Sequence, residues 1–301
     1  MPPLLSSKSP WLQLCYLLLF VAGGLTIFGS LSLFTGKLFF ADHLNSRGFL
    51  YVTNSISTFG IFFAPALLFS YSATRKLFFY SDADRMAPSQ MIGYVLVLSL
   101  FILPIIAYLG HLNEQITFPE SMQKIEAWMR GMEEAAKVFT KTLTANSSIP
   151  ILLANILIMA LLPAVFEEFL FRGTLQPFFS KWFANKHLAI ILTAFIFSAI
   201  HFQFYGFIPR FLLGIYLGYL LIWGKSVWLP VIAHFMHNAV SIILDFIAQK
   251  QGVDLEAIDP SQITGFYPVV LLCSFVVAMG IYRLWKVSHK STKIISPDHH
   301  L

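Results

Sequence analysis

The stretch VFEEFLFRG, residues 165–173, sets Glu167, Glu168 and Arg172 inside strongly apolar sequence, and His201, His234, His237 and Asn238 follow in apolar surroundings of their own. A charge at the middle of a bilayer costs about 2.5–3.5 kcal/mol on the mildest scale, so such groups are expected only where they are paired or face a polar cavity. Their spacing suggests how they divide the work. Glu168 and Arg172 are i,i+4 neighbours on one helical face and suited to an ion pair, whereas Glu167 points about 100° away and is free to face something else. His234 and Asn238 also share a face. His237, one position off, reads as a bystander.

These side chains support activation of water. A carboxylate and a histidine can deprotonate water, alone or around a metal, and a second histidine with an asparagine amide can donate to the oxyanion formed when a peptide carbonyl is attacked. No serine, histidine and aspartate have comparable placement, and the zincin pattern of two histidines flanking a glutamate on one helix is absent. Glu167, His201 and His234 could hold one divalent metal, zinc foremost, with water in the fourth position. They could equally act without one.

The elements that must position these groups are membrane helices. The chain has 301 residues, 57% hydrophobic and 12% charged, against roughly 25% charged in soluble domains. Apolar runs able to cross about 30 Å of hydrocarbon lie near 11–34, 49–71, 91–110, 157–181, 187–205, 208–224, 226–247 and 266–286. The expected fold is therefore all-α, a polytopic membrane protein with about eight transmembrane helices in one integral domain over 1–301 and a motif-bearing core near 150–247. Cys15 and Cys273 fall inside spans, which argues against a disulfide framework.

With a rise of about 1.5 Å per residue from Lys181, His187 and Lys225, residues Glu167, His201 and Asn238 come to lie about 20 Å deep and His234 about 13 Å. They share one slab, provided the fourth helix runs on through Gly173. If the slab is reached from the end bearing Lys181 and Lys225, cysteines placed there should react with thiol reagents added on that side.

The one long connection, 112–149, carries a capping-box pattern at Thr117–Glu120 and apolar residues at helical spacing from Ile125 to Phe139. It predicts an amphipathic helix, either lying on the membrane surface or covering a cavity mouth. Lys and Arg are denser on the side of Lys8, Arg75, Lys76, Lys181, Lys225 and Arg283 than in the short connections carrying Lys37, Arg47, Arg210 and Lys250, which predicts both termini in the cytoplasm. The net charge of +5 is accounted for by that orientation, and no basic tract interleaved with aromatics suggests nucleic acid.

Glu167-Glu168-x-x-x-Arg172, Phe197-x-x-x-His201 and His234-x-x-x-Asn238, in this order on separate membrane helices, resemble the three motifs of the CPBP intramembrane endopeptidases. That family joins the type II CAAX prenyl endopeptidases to the bacterial Abi and bacteriocin-processing proteins. The resemblance implies cleavage of a membrane-associated protein or peptide, with Glu167 and His201 handling water, His234 and Asn238 stabilising the oxyanion, and Glu168 with Arg172 holding the site together. It implies a metallo-type enzyme by the family's usual classification, and the layout resembles the bacterial branch, hence a cytoplasmic membrane. Two other classes compete. A proton- or ion-coupled transporter would also bury Glu, His and Arg, but its polar groups are expected in both halves, and a scaffold or immunity protein would explain only the Glu168–Arg172 pair.

Overall fold

The computed structural model describes residues 3–40, 43, 46–77, 83–145, 148–255 and 258–294. The chain ends used in the topology expectation, 1–2 and 295–301, lie outside the described residues.

The described residues are helical, without strands: α1 Pro10–Phe40, α2 Arg47–Thr74, α3 Ser89–Glu114, α4 Gln123–Thr144, α5 Ile149–Phe183, α6 Lys186–Ala199, α7 Phe207–Gly224, α8 Trp228–Lys250 and α9 Phe266–Ile294. Seven of the described helices are long and apolar enough to cross a membrane. The predicted eighth span, 187–205, is the exception: α6 stops at Ala199 after 14 residues, about 21 Å at helical rise. It falls short of a bilayer's hydrocarbon.

Prolines shape the long spans. Wide π turns at Phe59–Phe63, Ile156–Leu161 and Phe171–Leu175 come just before Pro65, Pro163 and Pro177. A proline has no N–H to give and its ring clashes with the carbonyl one turn back, and widening that turn absorbs both defects without ending the helix. The fourth span therefore continues through Gly173 to Phe183, as the depth argument requires.

Small residues let the helices close on one another. A Cβ on Gly24 would stand 1.9 Å from the carbonyl oxygen of Gly60, so α1 and α2 cross backbone to backbone. One core cluster joins α1, α2, α5, α6 and the start of α8, another joins α3, α7, α8 and α9. Outward faces carry exposed Leu18, Ile27 and Phe34 on α1 and Leu271 and Phe275 on α9. These are the faces a lipid bilayer covers.

After α6 the chain turns inside the bundle. Phe202 takes φ 54°, a left-handed conformation costly for a bulky residue, by about 1–3 kcal/mol, and a 3-10 turn at Phe204–Gly206 leads into α7. Asn113, buried at the end of α3, secures this tip: its Nδ2 donates to the Phe204 carbonyl at 2.8 Å and its Oδ1 accepts from Ile208 N–H at 3.0 Å. The second bond serves one of the unpaired amides that every helix start leaves. Asn113→Ala should therefore cost about 1–3 kcal/mol for stranded backbone groups. Thermal unfolding of the purified variant checks this, and an unchanged midpoint would mean that those groups reach water.

Candidate active site

Helices α5 and α8 and the turn after α6 bring the sequence-selected groups together. Glu167, His201, His234 and Asn238 line a single cavity of about 570 Å³, together with His237, Gln203 and Arg210. His237 is thus a wall residue rather than a bystander. Gln203 and Arg210 carried no site signal in the sequence beyond their polarity.

Glu168 and Arg172 are fully buried and do not line the cavity. Arg172 Nη1 donates to Glu168 Oε1 at 2.8 Å, and the same oxygen faces His234 Nδ1 at 2.9 Å. One carboxylate therefore ties α5 to itself and to α8. Arg172 also donates through Nη2 to the Gly214 carbonyl at 3.0 Å, and Gln176, one turn later, donates to the Gly218 carbonyl at 3.0 Å. Gly214 and Gly218 form a small-xxx-small pair on α7, and a Cβ on Gly214 would meet Ala194 of α6 at 3.0 Å. The guanidinium carbon lies 4.6 Å from the centre of the Phe197 ring, a cation–π placement. Phe197 in turn packs edge-on against both His201 and His234.

These contacts set the chemistry of each ring. The Phe197 carbonyl lies 2.7 Å from His201 Nδ1. A carbonyl can only accept, so Nδ1 carries the proton and the lone pair of the neutral ring resides on Nε2. His234 Nδ1 faces a carboxylate, which leaves its Nε2 for the cavity, accepting as the neutral ring and donating once protonated. Glu167 is 8% exposed and its Oε2 is buried with no partner. A carboxylate with unspent acceptors at a cavity wall is suited to hold water.

The expected zinc set departs from this arrangement. Its donor types are right, but among the described residues no three His, Cys, Asp or Glu side chains are grouped closely enough to share a metal ion. No step below passes through a metal.

The amphipathic helix α4 forms part of the cavity wall through Phe139 and Thr140. Of the two expected placements, covering the cavity is the one found. The capping box is not: a 3-10 turn at Glu120–Met122 precedes α4, with no side-chain cap from Thr117. Trp128 packs on Phe204 at 5.4 Å, and Arg130 donates to Glu126 at 2.7 Å while lying over Tyr205. The bond from Arg130 holds the half-buried Glu126 carboxyl below the usual range, whereas burial pushes that of Glu133 up. At the other end, Asn155 Nδ2 donates to the Leu143 carbonyl at 3.1 Å and its Oδ1 accepts from Tyr51. The cavity occupies the end of the bundle that α4 covers. Lys181 and Lys225 do not line it.

Fold and site together define an integral membrane protein whose helices bury a carboxylate–arginine–histidine network behind a polar cavity. Residues 149–240 match the family described as type II CAAX prenyl endopeptidase Rce1-like. All seven residues singled out in the sequence motifs fall within the match. The chain is also similar to the uncharacterized protein YpbD of Bacillus subtilis (strain 168), at 33% identity over 104 residues. That alignment covers 33% of this chain and 48% of YpbD, so the chain spans about half the length of the curated relative it matches. No solved structure matches it.

Proposed function

We propose that this protein is an intramembrane endopeptidase that hydrolyses a peptide bond of a membrane-associated protein or peptide with water activated by Glu167 and His201. The observation that carries the reading is the convergence of Glu167, His201, His234 and Asn238, from widely separated sequence, on one cavity. The family match over 149–240 supports it.

In this mechanism a water in the cavity gives one proton to Glu167 as its oxygen attacks the substrate carbonyl carbon. His201 Nε2 accepts the water's other hydrogen and orients the nucleophile. The carbonyl oxygen becomes an oxyanion, stabilised by N–H donors from Asn238 and from His234 Nε2 in its protonated form. The proton on Glu167 then passes to the amine nitrogen, the carbon–nitrogen bond breaks, and a carboxylic acid and an amine leave. Glu168 and Arg172 touch no reacting atom. They act by positioning, since they hold His234 Nδ1 and thereby aim Nε2.

The test has two parts. Membrane fractions with and without the active protein, compared by terminal proteomics, should differ in new termini close to a membrane boundary, and the absence of any such terminus would remove the endopeptidase reading. For the purified protein acting on a substrate so found, cleavage should survive exhaustive chelation, with no stoichiometric metal by elemental analysis. Loss of cleavage on chelation, restored by about one zinc per chain, would replace the water mechanism with a metal-held one.

A further inference from the structure

Arg210 is a cavity-wall cation that makes no ion pair among the described residues. The other two arginines of this region have carboxylate partners: Arg172 bonds Glu168 at 2.8 Å and Arg130 bonds Glu126 at 2.7 Å. Arg210 instead donates from Nη2 to the side-chain oxygen of Gln203 at 2.6 Å and from Nη1 to the Gln203 backbone carbonyl at 3.4 Å. Two carboxylates face it, Glu133 on α4 and Glu167 of the candidate site, and neither forms an ion pair with it. A guanidinium has five N–H donors, and the bonds to Gln203 occupy only two.

The surroundings keep that fork open. Gly206, also in the cavity wall, has φ −104°, which any residue can adopt, so its lack of a side chain answers a need for space. A Cβ there would stand 3.1 Å from Arg210 Nη2 and 3.6 Å from Cζ and Nη1. The guanidinium thus lies against bare backbone, braced on one edge by Gln203. A cation held this deep is costly without a negative partner, and a planar guanidinium matches a carboxylate through two parallel bonds. The cavity of about 570 Å³ lies in the size range that encloses small ligands.

We infer that Arg210, braced by Gln203 and lodged against Gly206, anchors a carboxylate of the substrate inside the cavity, so that the enzyme selects substrates carrying a negative group close to the bond it cuts. The carboxylate is either an acidic side chain or a free chain end. This inference rests on the endopeptidase reading for its function but is tested by binding alone.

Three short apolar peptides with the same fluorescent N-terminal label serve as probes: one with a free carboxy-terminus, one amidated, and one amidated with a glutamate near its end. They are titrated against the purified full-length protein and its Glu167→Gln and Arg210→Gln variants in lipid nanodiscs. At least one acidic peptide should bind about tenfold more tightly than the neutral amide, a difference of about 1.4 kcal/mol. Arg210→Gln should erase that preference while retaining its unfolding midpoint, and Arg210→Lys should keep part of it. Preference for the free acid alone assigns the chain end, and preference for the glutamate amide alone assigns the side chain. Equal binding of all three peptides, no binding of any, or a preference that persists in Arg210→Gln overturns the inference. If the preference holds while mass spectrometry finds no cleavage of any peptide by the unmodified protein, the anchor stands and the endopeptidase reading falls.

Discussion

Arg172→Ala is expected to lower the stability of the folded protein by about 3–5 kcal/mol, the usual loss when one partner of a buried ion pair is removed. Glu168 and Arg172 are both fully buried, and Glu168 Oε2 has no other bond to fall back on. The variant would leave the carboxylate with His234 Nδ1 as its remaining partner and at the same time free the Gly214 carbonyl and the Phe197 ring face. Thermal unfolding in detergent and the yield of folded protein both report this. An unchanged midpoint would show that Glu168 has found water or another donor. A companion variant separates stability from positioning. Replacing both Glu168 and Arg172 with methionine removes the charges together, which is often neutral or stabilising for buried pairs, so the midpoint should recover. Activity should not recover, because His234 Nδ1 has then lost the acceptor that aims its ring. Full activity in that double variant would mean that the network serves stability alone.

The sequence made the local half of this network legible and left the remote half hidden. Glu168 and Arg172 pair because they are one helical turn apart, and spacing reveals that. The bond from Glu168 to His234 bridges 66 residues, and no periodicity encodes it. The donors from Arg172 and Gln176 to Gly214 and Gly218 repeat the same i,i+4 step on two helices, a signal present in the sequence once the glycines are read as places where a carbonyl can be approached. The run 187–205 read as a full span because hydropathy does not register a turn. Only the left-handed Phe202 and the backbone bonds of Asn113 show that the helix ends early and the chain turns there. That turn brings Gln203 and Gly206 into the cavity wall beside Arg210, which a count of basic residues had treated as a marker of orientation.

Glu167→Gln should abolish cleavage of a substrate identified by the terminal comparison, with a fall of about 10²–10⁴-fold, the range over which a positioned general base contributes, and little change in unfolding midpoint. The substitution keeps the volume of a side chain that is only 8% exposed and whose Oε2 makes no bond to lose, so packing is conserved while the proton acceptor disappears. His201→Ala supplies the comparison. Its ring packs edge-on against Phe197 and its Nδ1 donates to the Phe197 carbonyl, so removing it should reduce both activity and stability. Two variants that both lose cleavage, only one of which unfolds earlier, would separate the chemical role of Glu167 from the mixed role of His201. Cleavage by Glu167→Gln at more than a few per cent of the normal rate would take the water-activating role away from Glu167. A histidine of the cavity wall, His201 through Nε2 first among them, would then be the base, and the direct check is the solvent pH dependence of the residual activity: a histidine base loses rate as the pH falls through its own titration, whereas a reaction needing no side-chain base does not.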